Sequence, residues 1–247
     1  MKSLNKENFS FYKKKPYLIF EIKDFIEKDK FEILKKSFPN KKYFIDSEDH
    51  LTKKIFGSKH IDFDNFFLQN SSWLEFINNF NNPDFLNNAY KLSLIDNIKH
   101  RGITFLKKWT FNNTNIFKKY FYRKVYVKSY FGRHEKNQLV HPHTDARSKL
   151  FSMIYYVSGP EDQTGGTEFW DIKKNKIKWK NDNSIHLKDK DKIEEFKKDA
   201  QLIHKSKFIE NTLVGFIRND YSWHSVLDVG NLKDSIERKT LNLFYRY

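Results

Sequence analysis

Residues 150–157, Leu-Phe-Ser-Met-Ile-Tyr-Tyr-Val, are apolar on both alternating faces, and between turn residues such a run reads as a strand buried on two sides. A strand of this kind needs a covering layer above and below it. Its surroundings are similar in character. Residues 124–131, Lys-Val-Tyr-Val-Lys-Ser-Tyr-Phe, form a β-branched and aromatic run, while 167–170, 213–217, 223–226 and 238–247 read as further short strands set off by turns. In this half only 190–198 has a helical period. Short strands joined by turns predict a mainly β fold, closed or two-sheeted, of the jelly-roll and cupin-like kind. Upstream, 24–36, 71–77 and 84–94 have helical spacing, and Ser72 stands before Glu75 in a capping-box pattern. Residues 1–120 are therefore expected to form a mainly helical support for a β core at 121–247, the whole of 1–247 being one domain.

Chemistry enters with His143-Thr144-Asp145. In an extended strand residues i and i+2 share a face, so His143 and Asp145 can bite one metal while Thr144 points away. His224, 79 residues beyond Asp145 on the predicted strand at 223–226, would be the third ligand. Two imidazoles and a carboxylate are the protein ligand set of a mononuclear non-haem iron(II) site that leaves three positions open. His60-Ile61-Asp62 repeats the tripeptide without flanking strands and reads as turn polarity. His141 would share the face of His143 and is the alternative ligand, or a group that supports the site or touches substrate. Pro142 sets the pair at a strand start or edge.

The last strand separates into two faces. Arg238, Thr240, Asn242, Phe244 and Arg246 make the more polar one, expected to line the interior. Arg238 and Thr240 offer a fixed cation and a hydroxyl where a carboxylate could dock. Arg246 competes for that role from roughly 27 Å away, at about 3.4 Å per residue.

These residues resemble the iron(II)- and 2-oxoglutarate-dependent dioxygenases, in particular the branch of prolyl 4-hydroxylase catalytic domains. The likeness is carried by His143-Thr144-Asp145, Tyr156-Val157, Gly165-Gly166-Thr167, residues 213–216 with His224, and Arg238-Lys239-Thr240, and it covers about 125–247. It implies a double-stranded β-helix core. His143, Asp145 and His224 would be the metal-binding catalytic set, Arg238 and Thr240 would bind the C5 carboxylate of 2-oxoglutarate, and Tyr130 would add a phenolic hydrogen bond to it. Fe(II), 2-oxoglutarate and O2 would be required, and an unactivated C–H bond would be hydroxylated with release of succinate and CO2. Asp at position 145 argues for hydroxylation over halogenation. One departure is the fourteen-residue span from His224 to Arg238, with 230–234 reading as an enlarged hairpin loop.

Two other readings stand beside this one: a cupin-like metal-binding protein without oxygenase turnover, and a nucleic-acid-directed oxygenase. The first has no need of Arg238 with Thr240. For the second, 46 Lys and Arg against 31 Asp and Glu give a net charge of +15, which suits an acidic partner. The excess is mostly Lys in scattered pairs, beside abundant Asn, Ile and Phe, as an AT-rich genome favours. The expected substrate is thus a small molecule, amino acid, sugar or peptide. The absence of Cys rules out disulfides and Cys-ligated clusters. No apolar run reaches about eighteen residues and no signal-like segment opens the chain. A soluble cytoplasmic enzyme without a membrane partner is expected.

Overall fold

The computed structural model describes residues 1–47, 50–101, 107–112, 121–134, 139–159, 164–173, 179, 189–227 and 237–247. The loop predicted at 230–234 lies outside them. In chain order the elements are β1 (Phe11–Lys13), β2 (Ile19–Ile22), α1 (Lys28–Lys36), β3 (Ile45–Ser47), β4 (His50–Gly57), α2 (Phe63–Gln69), α3 (Ser71–Asn78), α4 (Pro83–Arg101), β5 (Lys108–Thr110) and β6 (Tyr122–Lys124). There follow β7 (Tyr126–His134), β8 (Val140–His143), β9 (Lys149–Tyr156), β10 (Glu168–Ile172), α5 (Lys190–Asp199), β11 (Ala200–Lys205), β12 (Thr212–Ile217), β13 (Trp223–Val226) and β14 (Arg238–Arg246).

From β7 onward the chain winds back and forth between two antiparallel sheets. β7, β9, β12 and β14 fall in a large sheet of order β1-β2-β12-β9-β14-β7-β4-β3, and β8, β10, β11 and β13 form a small sheet of order β11-β10-β13-β8. Every step from strand to strand changes sheet except β10 to β11, where α5 is inserted. This interleaving is a double-stranded β-helix. It explains why β9 is apolar on both faces: central in its sheet between β12 and β14, it turns Tyr155 to the aromatic core and Ser152 to the small-sheet side, and all its residues but Lys149 are buried.

The outer face of the large sheet is the phenylalanine-rich core. Phe131 of β7 packs against Phe38, Phe66 and Trp73, and Tyr155 of β9 against Phe25 and Phe76. Each such side chain removed from water contributes about 1.5–3 kcal/mol, so α1 to α3 are held by their aromatic faces. Tyr245 of β14 adds a hydrogen bond to the Phe80 carbonyl (2.7 Å). A separate cluster backs the small sheet, where Phe196 of α5 lies against Trp170, Trp179 and Trp223.

Two expectations need correction. Residues 1–120 do more than supply helices, because β1 and β2 extend the large sheet beside β12, and β3 and β4 extend it beside β7. The buried Ile-Phe-Glu-Ile of β2 has neighbours on both edges, β1 and β12, which fixes it as strand. The capping box at Ser72 does not form: Asn70 is the N-cap of α3, without a side-chain capping bond. Among the described residues no helix is long and apolar enough to cross a membrane.

Candidate metal centre

β8 and β13 are neighbours in the small sheet, with His143 directly opposite His224 and ring centroids 4.2 Å apart. Trp223, one residue before His224, is locked into the cluster behind the sheet and donates its indole N–H to the Trp179 carbonyl (2.8 Å). Alternation then turns His224 the other way, toward the large sheet, where it meets Phe216 of β12. Asp145 lies just past the end of β8. Its backbone carbonyl accepts from Arg218 Nε (2.8 Å), and its carboxylate accepts from Ser152 of β9 (2.5 Å) and from Lys149.

Donor atoms of His143, Asp145 and His224 all lie within 4.8 Å of one another, with the three side chains buried. His143 Nδ1 is 2.8 Å from the His141 carbonyl oxygen, and His224 Nδ1 is 3.1 Å from that of Ser222. A carbonyl only accepts, so both Nδ1 atoms carry a proton, which leaves Nε2 of each ring as the atom that would ligate a metal. Burial would raise the Asp145 carboxyl, but the Lys149 ammonium, His224 and the hydrogen bonds from Lys149 and Ser152 outweigh it and hold the group well below the usual carboxylate range. Two imidazoles and a carboxylate thus converge, a donor set that fits a divalent first-row metal.

Arg238 shares the cavity with these three residues. It is buried, donates from Nε to the Gly165 carbonyl (2.7 Å), and lies over the rings of Tyr156 and Phe208. Burial lowers its pKa, with the neighbouring Tyr156 and Tyr130 acting in the opposite sense. No carboxylate among the described residues pairs with it. The glycine pair beside it has two separate reasons: Gly165 has φ 83°, and a Cβ on Gly166 would sit 1.7 Å from the Ser206 carbonyl oxygen.

The other residues singled out by sequence fall in varied places. Tyr130 lines the cavity. Thr240 shares a face with Arg238, but its hydroxyl accepts from Asn242 (3.1 Å) and donates to the Gly132 carbonyl (3.5 Å), and it does not line the cavity. Arg246 lies at the far end of β14, bonded to Ser148. His141 contributes its carbonyl to the His143 ring and is not in the donor group. His60 sits in a turn, where its Nδ1 accepts from Asp62 N (3.2 Å).

Sequence reasoning passed over Lys149, Ser152 and His134, whereas Phe244 lines the cavity as its face predicts. Ser152 had a signal, a lone hydroxyl in an otherwise apolar run. His134 is fully buried opposite Arg238 in the β7–β14 register. With Lys149 laid across the Phe244 ring (3.6 Å) onto Asp145, the enclosed space is only 60 Å³, room for about two waters. A larger groove of 660 Å³ opens beside Met1, Asp24 and Phe31, but no histidine lines it.

No protein-family model matches the chain, and no curated protein matches it. Among solved structures it is similar to a Pseudomonas putida prolyl-4-hydroxylase, at 12% identity and a TM-score of 0.46 over 92% of this chain and 91% of that one. It is likewise similar to the non-heme alpha ketoglutarate dependent carbocyclase SnoK from nogalamycin biosynthesis, at 12% identity and 0.47 over 92% and 79%. HygX from Streptomyces hygroscopicus, solved with nickel and 2-oxoglutarate bound, aligns at 8% identity and 0.45 over 92% and 82%.

Proposed function

We propose that this chain is an iron(II)- and 2-oxoglutarate-dependent oxygenase that hydroxylates an unactivated C–H bond of a small-molecule, amino-acid, sugar or peptide substrate. The observation that carries the reading is Arg238. A guanidinium buried without a carboxylate partner among the described residues is expensive to maintain unless an anion comes from outside. Here it faces the same cavity as the His143, Asp145 and His224 donors. A protein that merely held a metal would have no use for such a cation.

In this reading His143 and His224 hold iron through Nε2 and Asp145 through its carboxylate. Iron and 2-oxoglutarate, when bound, supply the oxidising chemistry, with succinate and CO2 as co-products. The chain's own work is positional. The Nδ1 bonds to the His141 and Ser222 carbonyls fix the two rings, and Ser152 fixes the Asp145 carboxylate. Arg238 anchors the remote carboxylate of the cosubstrate through paired N–H donors, and Tyr130 stands beside it.

The test is succinate formation from 2-oxoglutarate by the purified chain with Fe(II) and O2, including the slow turnover expected without primary substrate. Turnover that needs all three components and is lost in Arg238→Ala supports the proposal. A chain that binds iron but neither binds nor consumes 2-oxoglutarate sinks it in favour of the metal-binding alternative.

A further inference from the structure

The inner face of the large sheet does not end at the metal centre. β7 and β14 are nine residues long, whereas β8 and β13 of the small sheet have four each. Tyr130, Lys128 and Tyr126 of β7 stand opposite Asn242, Phe244 and Arg246 of β14, and Lys149 of β9 stands opposite Arg246. Tyr130, Asn242, Phe244 and Lys149 line the cavity. The two-residue period puts Lys128, Tyr126 and Arg246 on the same face, further out.

This outer stretch is an apron of cations and rings. The Phe244 ring lies between the Lys149 ammonium at 3.6 Å and the Tyr130 ring at 5.5 Å. Tyr126 is 47% exposed. Arg246 is bonded to the Ser148 hydroxyl, and no carboxylate among the described residues pairs with Arg246 or with Lys128. Lys149 has Asp145, a partner it must share with any metal bound there. Three like charges on adjacent strands repel one another, and an anion set among them relieves that repulsion.

We propose that Lys128, Lys149 and Arg246 bind an oxyanion of the primary substrate, a carboxylate or a phosphate, with Tyr126 and Phe244 packing on the body of the molecule next to it. The planar Arg246 guanidinium suits two-point recognition of such a group. This rests on the oxygenase reading only in placing the reacting carbon at the metal centre. Arg246 is four residues beyond Asn242 on β14, about 14 Å at ~3.4 Å per residue. The substrate is then an acid whose charge lies toward the outer end of this face.

Calorimetric titration of the full chain, loaded with Co(II) and saturated with 2-oxoglutarate so that Arg238 is engaged, tests this with phenyl phosphate, benzoate and phenol as probes. Saturable binding of phenyl phosphate or benzoate, none of phenol, and a weakening of about tenfold in both Arg246→Gln and Lys128→Met is the expected result. The tighter of the two acids tells phosphate from carboxylate. Lys36→Met, on the exposed side of α1, should bind like wild type. No saturable binding of either acid, binding of phenol as tight as theirs, or binding equal in wild type and both apron variants would overturn the proposal. Co(II) and 2-oxoglutarate titrations of wild type keep the two readings apart. If those fail while Arg246-dependent binding of an acid persists, the oxygenase reading falls and the apron stands; the reverse removes the apron alone.

Discussion

Lys149 donates to the carboxylate of Asp145, the same group that lies with His143 and His224 as a metal donor. One buried carboxylate is thus shared between an ammonium and whatever cation the histidines hold. Burial lowers the Lys149 pKa, Asp145 opposes that shift, and nearby Arg246 and Arg218 reinforce it. The Lys149 ammonium and a metal ion at the histidines would compete for that carboxylate.

Replacing Lys149 with Met should therefore separate two effects. Without metal, Asp145 is left buried and unpaired, which costs about 3–5 kcal/mol of stability. Co(II) should bind the variant more tightly than wild type and raise its Tm by a larger increment, because the ion no longer displaces a competitor. Paired thermal melts with and without Co(II) check this. A fall in Co(II) affinity would show instead that Lys149 orients Asp145 for the ion.

His143→Ala, Asp145→Ala and His224→Ala should each abolish stoichiometric Co(II) or Fe(II) binding, read from Co(II) absorption and from metal content after anaerobic loading. His60→Ala should leave it intact, since that ring is tied into a turn with Asp62. Loss of metal in His60→Ala with retention in His143→Ala would move the site.

Arg238→Ala should raise the 2-oxoglutarate dissociation constant by roughly one to three orders of magnitude, as expected for removal of a charge-assisted pair of about 2–4 kcal/mol. Metal content should not change. Unaltered affinity would mean that another cation receives the cosubstrate.

Gly165→Ala tests how Arg238 is held. A side chain at φ 83° is strained by about 1–2 kcal/mol, and the Gly165 carbonyl is the acceptor for Arg238 Nε. The variant should lose that much stability and bind 2-oxoglutarate several-fold more weakly, with metal affinity intact. Gly166→Ala should be worse, because the Ser206 backbone has no room to yield. Chemical denaturation beside 2-oxoglutarate titration distinguishes the two.

The convergence of His143, Asp145 and His224 was legible because its geometry is local or strongly patterned. An H-x-D at a strand end and a lone His one residue after a buried Trp follow from alternation alone. β9, β12 and β14 were legible for the same reason. Lys149 was not, because its pairing with Asp145 depends on a turn at 146–148 that folds β9 back beneath β8. The N-terminal strands were also missed. Ile19 to Ile22 carries no alternation, since all four residues are buried, and Lys54 to Gly57 takes its strand form from pairing with β7. Thr240 shows the limit of reading faces: it points inward beside Arg238 as expected, yet Asn242 occupies its hydroxyl, and a two-residue period says nothing about that.

The facing of His143 and His224 across β8 and β13 also sets when in the life of the chain the donor group can exist. Those strands become neighbours only after everything from β9 to β12 has been made, so the pairing is non-local. During synthesis the His143 and Asp145 half precedes His224 by 79 residues, roughly 4 to 16 s at about 5–20 residues per second. Until then this set offers only two donors, so capture of a metal by all three would report that β8 and β13 have paired.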